Sequence, residues 1–172
     1  MTMYVAYNNA FGAAQVSMLG LSYATGTKVA LQLATPSTIQ IRVVEWGVSF
    51  NGSAAGTPAV CELVQNGTAT TFPNTGNDIA HSTTTIQPVG DSTTASRLTM
   101  GPSASGRGNA TAPVSATPDK YFDAQFVGPT SQYVKQWPLG REPVMPVSKY
   151  LQLRINTAAT LTAIAYVVFE EC

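Results

Sequence analysis

Across 172 residues, no window of a dozen carries an apolar stripe at helical spacing that is free of Gly and Pro. What recurs is short stretches with every second residue apolar, cut by Gly, Pro and Asn, the pattern of strands and turns. Val29, Leu31 and Leu33 alternate with Ala30 and Gln32, and Ile39, Ile41 and Val43 alternate with Gln40 and Arg42, so each segment is expected to have one buried and one wetter face. From Val44 the apolar parity switches to Val44, Trp46, Val48 and Phe50, with Gly47 among them. That switch requires a bulge or a bend that re-aims the second half. The turn Asn51-Gly52 ends the strand, PAVCELVQ (58–65) reads as the returning strand, and Asn66-Gly67 supplies the next turn. Residues 38–66 are therefore expected to form a hairpin-like unit.

Near the C-terminus, Leu151, Leu153 and Ile155 alternate with Gln152, Arg154 and Asn156, and LTAIAYVVFEE follows at 161–171. The last strand is apolar on both faces, which predicts a central position, covered on one side by a second sheet and on the other by a loop or a neighbouring subunit. Further strands are expected at 3–7, 15–23, 83–87, 95–100, 121–127 and 131–137. Eight to ten short strands of this kind predict an all-β chain: a single β-sandwich domain over 1–172, with a jelly roll as the preferred topology. From 67 to 119 the chain is dominated by Thr, Ser, Gly, Asn, Ala and Pro, with thin apolar content around Ile79, Ile86, Val89, Leu98 and Met100. This stretch is expected to form a polar loop or hairpin excursion with little core of its own, either mobile or ordered as an arm that touches a partner.

Composition narrows the function classes. Charged residues are 10% of the chain, against roughly 25% in an ordinary soluble domain. Nine Lys plus Arg balance nine Asp plus Glu. No clustered positive charge is available for phosphate contacts, so nucleic acid is not an expected direct partner. No apolar run approaches the roughly 20 residues needed to cross a bilayer, and Met1 to Asn9 lacks the basic start and apolar core of a signal peptide, so no membrane is expected and a cytosolic site of synthesis is. Cys61 and Cys172 do not make a disulfide framework. The sequons at Asn51, Asn66 and Asn109 arise readily in a chain rich in Asn, Ser and Thr.

The residues that would carry catalysis are sparse. His81 is the one histidine and reads as an exposed loop residue, with no second histidine to complete a metal site. No Gly-x-Ser-x-Gly elbow is present. Glu170 and Glu171 are adjacent in a strand, so they point to opposite faces and read as a solvated end. Gly106-Arg107-Gly108 lacks the Lys-Ser/Thr and the helix of a phosphate-cradling loop. The expectation is a chain that is not an enzyme, with no cofactor and no metal. One stretch points to contact with another protein: QWPLGREPVMPV (136–147) brings Trp137, Arg141 and Met145 together among three prolines. The prolines hold the segment extended, so docking loses little entropy. Trp137, Arg141 and Met145, with Arg107, form the candidate interface. The other reading of the segment is that Trp137 and Val144 cap the chain's own core.

VVEWGVSFNGSAAGTPAVCELVQNGTAT (43–70) and YLQLRINTAATLTAIAYVVFEE (150–171), about 50 residues together, resemble small structural proteins of tailed-bacteriophage virions, especially the β-sandwich proteins that decorate or cement the outside of the head. The resemblance implies a homotrimer on the capsid exterior, at threefold or quasi-threefold positions, that bridges subunits of the major capsid protein and stabilises the shell. Two other classes fit the same scaffold. A carbohydrate- or receptor-binding module would need an exposed aromatic platform, for which Trp137, Tyr121 and Tyr133 are the candidates; another virion component would be a head-fibre base, a tail-tube subunit or a shell-forming jelly roll.

Overall fold

Alternation in the sequence becomes two antiparallel sheets in the computed structural model, which describes residues 2–9, 18–53, 56–90, 93–112 and 117–172. The strands are β1 (Met3–Tyr7), β2 (Leu21–Tyr23), β3 (Gly26–Ala34), β4 (Ile41–Asn51), β5 (Ala59–Asn66), β6 (Ile79–Ala80) and β7 (Ile86–Pro88), followed by β8 (Gly106–Thr111), β9 (Lys120–Val127), β10 (Gln132–Gln136), β11 (Val144–Met145), β12 (Tyr150–Thr157) and β13 (Leu161–Glu171). The first sheet runs β10-β4-β13-β1-β7, with β11 added on β4 and β2 on β13; the second runs β6-β8-β3-β12-β5-β9. The all-β class expected from the pattern is what forms, and the core lies between the sheets, built on Leu31, Leu33, Ile41, Val43, Trp46, Leu63, Leu153, Val167 and Phe169.

The parity switch in β4 has a local cause. Val168 pairs with Glu45 and Phe169 with Val43, so Val44 is the extra residue of a bulge. Before it Ile41 and Val43 face the core; after it Trp46, Val48 and Phe50 do. One inserted residue keeps an eleven-residue strand buried along a single face. β13 is central in its sheet, as its apolar character requires, flanked by β4 and β1.

Residues 38–66 do not form a hairpin. β4 lies in the first sheet and β5 in the second, so the chain crosses between layers after Asn51. Both edges of β4 are already taken, by β13 on one side and by β10 and β11 on the other. Apolar alternation is the same for a strand that turns back within a sheet and for one that crosses to the facing sheet, so the pattern could not separate the two.

The wetter face expected for β3 and β12 is dry at Gln32, Gln152 and Arg154, and Asn156 is exposed as expected. Gln32, Gln152 and Arg154 are buried, because the stretch after Asn66 folds back over the outside of the second sheet, while Ala30 is the extra residue of a bulge that turns it into the main core and puts Val29, expected to face inward, on the covered outer face. Gln32 accepts from the Thr70 amide (2.8 Å) and donates to the carbonyls of Thr70 (3.1 Å) and Ala104; Gln152 Nε2 donates to Gln32 Oε1 (2.7 Å), and Arg154 Nη2 donates to Gln152 Oε1 (2.7 Å). A row of polar side chains that would face water is satisfied instead by the covering backbone. Phe72 completes the cover. It is fully buried with Val29 and Ala110, and its ring lies on Gly106, where an added Cβ would come within 2.3 Å of it.

The rest of the polar middle contributes further. Ile86 and Leu98 join the main core, whereas Val89 is exposed. The strand expected at 83–87 is β7, shifted to 86–88 behind a turn, and 95–100 forms no continuous strand, only isolated bridges at Thr99 and Met100. Of the strand expected at 15–23, residues 21–23 form β2, while 15–17 lie outside the described residues.

Glu170 and Glu171 do point to opposite faces, but Glu171 is not solvated. Its carboxylate is buried and accepts from Ser96 Oγ (2.7 Å), the Arg97 amide (2.8 Å) and Arg97 Nε (3.1 Å), tying the 96–98 stretch under the end of the sandwich, where Leu98 enters the core. Glu170 faces Arg42 at 3.8 Å. At the opposite edge, Asp123 of β9 links the two sheets by accepting from the Tyr133 hydroxyl (2.8 Å) and from Trp46 Nε1 (3.3 Å).

Candidate interface on the first sheet

Residues directly opposite one another on neighbouring strands share a face. Register across the first sheet therefore defines its outer surface: Val134, Gly47, Tyr166 and Tyr7 form one row, Gln132, Ser49 and Ile164 a second, and Gln136, Glu45, Val168 and Val5 a third. Val134 is 52% exposed, and Val5, Tyr7, Ile164, Tyr166 and Val168 are half-buried. Among the described residues this is an apolar strip on the central strand, bordered by Gln132, Ser49 and Gln136 and by the carboxylate of Glu45. Tyr7 and Tyr166 approach with ring centroids 5.8 Å apart.

Gly47 makes the row possible. A Cβ there would sit 2.6 Å from the Tyr166 ring, so the missing side chain is what allows the ring to lie across β4 toward Val134. The Tyr166 hydroxyl donates to Glu45 Oε1. Partial burial first, and the Glu45 carboxylate second, push the Tyr166 hydroxyl well above its ordinary range, so it remains a proton donor. A depression of about 270 Å³ opens beside this row, between Tyr7, Gln132, Val134, Ile164 and Tyr166.

The segment 136–147 runs along the side of β4 that β10 and β11 occupy, next to this face. The Trp137 amide donates to the Val44 carbonyl (3.1 Å), the chain turns through Gly140 at φ 82° with the Arg141 amide on the Pro138 carbonyl (2.9 Å), and β11 returns to pair with Ile41 and Arg42. The four sequence candidates are separated by this path. Met145 is fully buried in the core, Trp137 is half-buried against it, and Arg141 stands exposed on the turn. Arg107 lies on β8 at the other edge of the sandwich and is buried. The most exposed apolar side chain of the segment is Leu139, 94% exposed, which sequence reasoning passed over because an isolated Leu between Pro and Gly has no periodic signal.

The aromatic candidates for a sugar platform divide similarly. Tyr133 turns inward onto Trp46, with ring centroids 5.2 Å apart, and Tyr121 is exposed on the edge strand β9. Gly106-Arg107-Gly108 is strand and not loop. His81 is buried, not exposed: its imidazole is held by Thr85 Oγ1 at 2.9 Å, and burial, with Arg107 nearby, pushes its pKa down to about 3. Cys61 is buried and Cys172 exposed, and both are free thiols. No family model, no curated protein and no solved structure matches the chain.

Proposed function

We propose that this chain is a non-enzymatic structural protein of a phage virion that binds the outside of the capsid lattice as a homotrimer and stabilises the shell. The observation that supports it most is the apolar row Val134, Tyr166 and Tyr7 with Ile164 and Val168, carried by the middle strands of the first sheet and left half-open. A sheet is the most rigid surface available to such a fold, and a half-exposed apolar strip on its central strand suits repeated contact with a neighbouring copy or with the capsid. Many weak attachments of one kind hold firmly through multivalency. Tyr7, Tyr166 and Val134 thus replace Met145 as contact residues, while Trp137 stiffens the adjoining edge and Leu139 and Arg141 reach outward from it.

The strand order supports the jelly-roll reading. Taking the eight principal strands, β1-β13-β4-β10 and β3-β12-β5-β9 are the orders that two interlocked Greek keys produce.

The test uses heads purified from the phage whose lysate contains the chain. Recombinant chain should saturate stripped heads at one trimer per threefold or quasi-threefold position, and Val134→Asp, whose side chain is exposed, should fold normally and lose that binding. Full occupancy by Val134→Asp overturns the assignment of this face. Binding to glycans by a monomer, with none to heads, replaces the reading by the sugar-binding one.

A further inference from the structure

At the β6/β8 edge of the second sheet, two buried polar side chains carry nitrogen atoms without a hydrogen-bond partner. Arg107 is 4% exposed and His81 3% exposed. Nε and Nη1 of Arg107 and Nε2 of His81 are all buried without a hydrogen bond.

Register explains why they meet. Arg107 lies opposite Leu31 on β3 and opposite Ile79 on β6, so its side chain shares the inward face of the sheet with Leu31. Ala80 pairs with Gly106, which lies under Phe72 on the outer face, and the next residue, His81, donates its amide to the Ser105 carbonyl (2.8 Å) and so turns inward beside Arg107. His81 is held in place through Nδ1 by Thr85 Oγ1, which leaves Nε2 free.

No carboxylate answers the guanidinium. Among the described residues the ion pairs are Arg42–Glu170, Arg97–Glu171 and Lys149–Asp119. Asp78, adjacent in sequence to Ile79, turns its Oδ1 to the Asn109 amide (2.8 Å). A guanidinium taken out of water with unmet donors is among the costlier arrangements a domain can hold, and buried donors in folded proteins are generally satisfied.

We propose that Arg107 and His81 form an internal site for one small oxyanion of the size of phosphate or sulfate. The guanidinium supplies the single positive charge and directed N–H donors suited to tetrahedral or planar oxyanions. His81 supplies a further donor at Nε2 once Thr85 Oγ1 turns its single proton from the Ser82 carbonyl (3.0 Å) to Nδ1 (2.9 Å), the tautomer that a bound anion selects. The ligand is a free anion and not an acidic side chain of another protein, because the two side chains are only 4% and 3% exposed and offer no surface to dock on.

Isothermal calorimetry of the purified chain against inorganic phosphate, with chloride holding ionic strength constant, tests this directly. The expected result is one-to-one binding together with a saturable rise in Tm of several degrees, since a ligand that binds only the folded state stabilises it. Arg107→Met should weaken binding at least about tenfold and His81→Gln by a smaller factor. If Arg107→Met does not fold, calorimetry on the unaltered chain still decides. The proposal is overturned by the absence of binding up to tens of millimolar phosphate and sulfate, or by unchanged affinity in a folded Arg107→Met.

Discussion

Replacing Phe72 by Ala separates a polar middle segment that is merely attached from one that is part of the fold. Phe72 is fully buried, and an aromatic ring of this kind removes about 150–250 Å² from water, worth roughly 4–6 kcal/mol at about 25 cal/mol/Å². Phe→Ala substitutions at buried sites cost about 3–5 kcal/mol. The cluster here is small, only Val29, Phe72 and Ala110 with Ala112 beside them, and the covering chain can settle into the gap, so about 3 kcal/mol is expected. For a domain of this length that lowers Tm by about 6–12 °C. Gly106→Ala makes a companion: its Cβ would lie 2.3 Å from the Phe72 ring, which must move at a cost of about 1–3 kcal/mol. In the Phe72→Ala background that cost should nearly vanish, giving a coupling energy of about 1 kcal/mol or more in a urea-denaturation double-mutant cycle. A Phe72→Ala cost under about 0.5 kcal/mol, as at an ordinary surface position, refutes the cover over the second sheet.

Other outcomes follow from the same packing. His81 is held neutral, with its pKa down to about 3 against 6.5 unfolded, so the unfolded chain binds the extra proton: stability is full above about pH 6.5 and falls with pH toward 3, by up to about 1.4 kcal/mol per unit. Urea midpoints between pH 7 and pH 5 in chloride buffer should show this slope, and a His81→Asn variant should lack it. Of the two thiols, Cys172 should react with an aromatic disulfide reagent at once, whereas Cys61, buried and with its thiol pushed up to about 12, should react only on unfolding; two fast thiols would contradict the burial of β5. Trp137→Ala should leave the strand content by circular dichroism unchanged while reducing attachment to heads, and unchanged attachment would limit Trp137 to capping the core.

Strand periodicity was legible wherever one face is buried against the other sheet. The bulge at Val44 announced itself because a single inserted residue flips every following side chain, and the sequence records that flip in the shift from Val43 to Trp46. Pairing partners were not legible: β4 and β5 alternate as a hairpin would, yet cross between layers. Nor was the cover over β3 and β12. Gln32, Gln152 and Arg154 are polar residues that water would satisfy equally well, and only the backbone of Thr70 and Ala104 shows that a folded-back chain takes its place. The contact face was half legible. The two-sided apolar character of 161–171 pointed to an outer surface in need of a neighbour, but the partners of Tyr166 in that surface, Val134 and Tyr7, come from distant strands and meet only through register. His81 and Glu171 were misjudged for one reason: a lone polar residue carries no periodic signal of burial, and what hides each is a contact remote in the sequence, Ser96 and Arg97 for Glu171 and β8 for His81.

Attachment to a phage head in lattice numbers can be counted directly. Antibody raised to the recombinant chain, used in quantitative blots across a density gradient of phage lysate, gives copies per DNA-filled particle. The chain should band with the heads in proportion to capsid subunits or to threefold positions, whereas a few copies per particle, or recovery only in the unbound fractions, would overturn the proposed role.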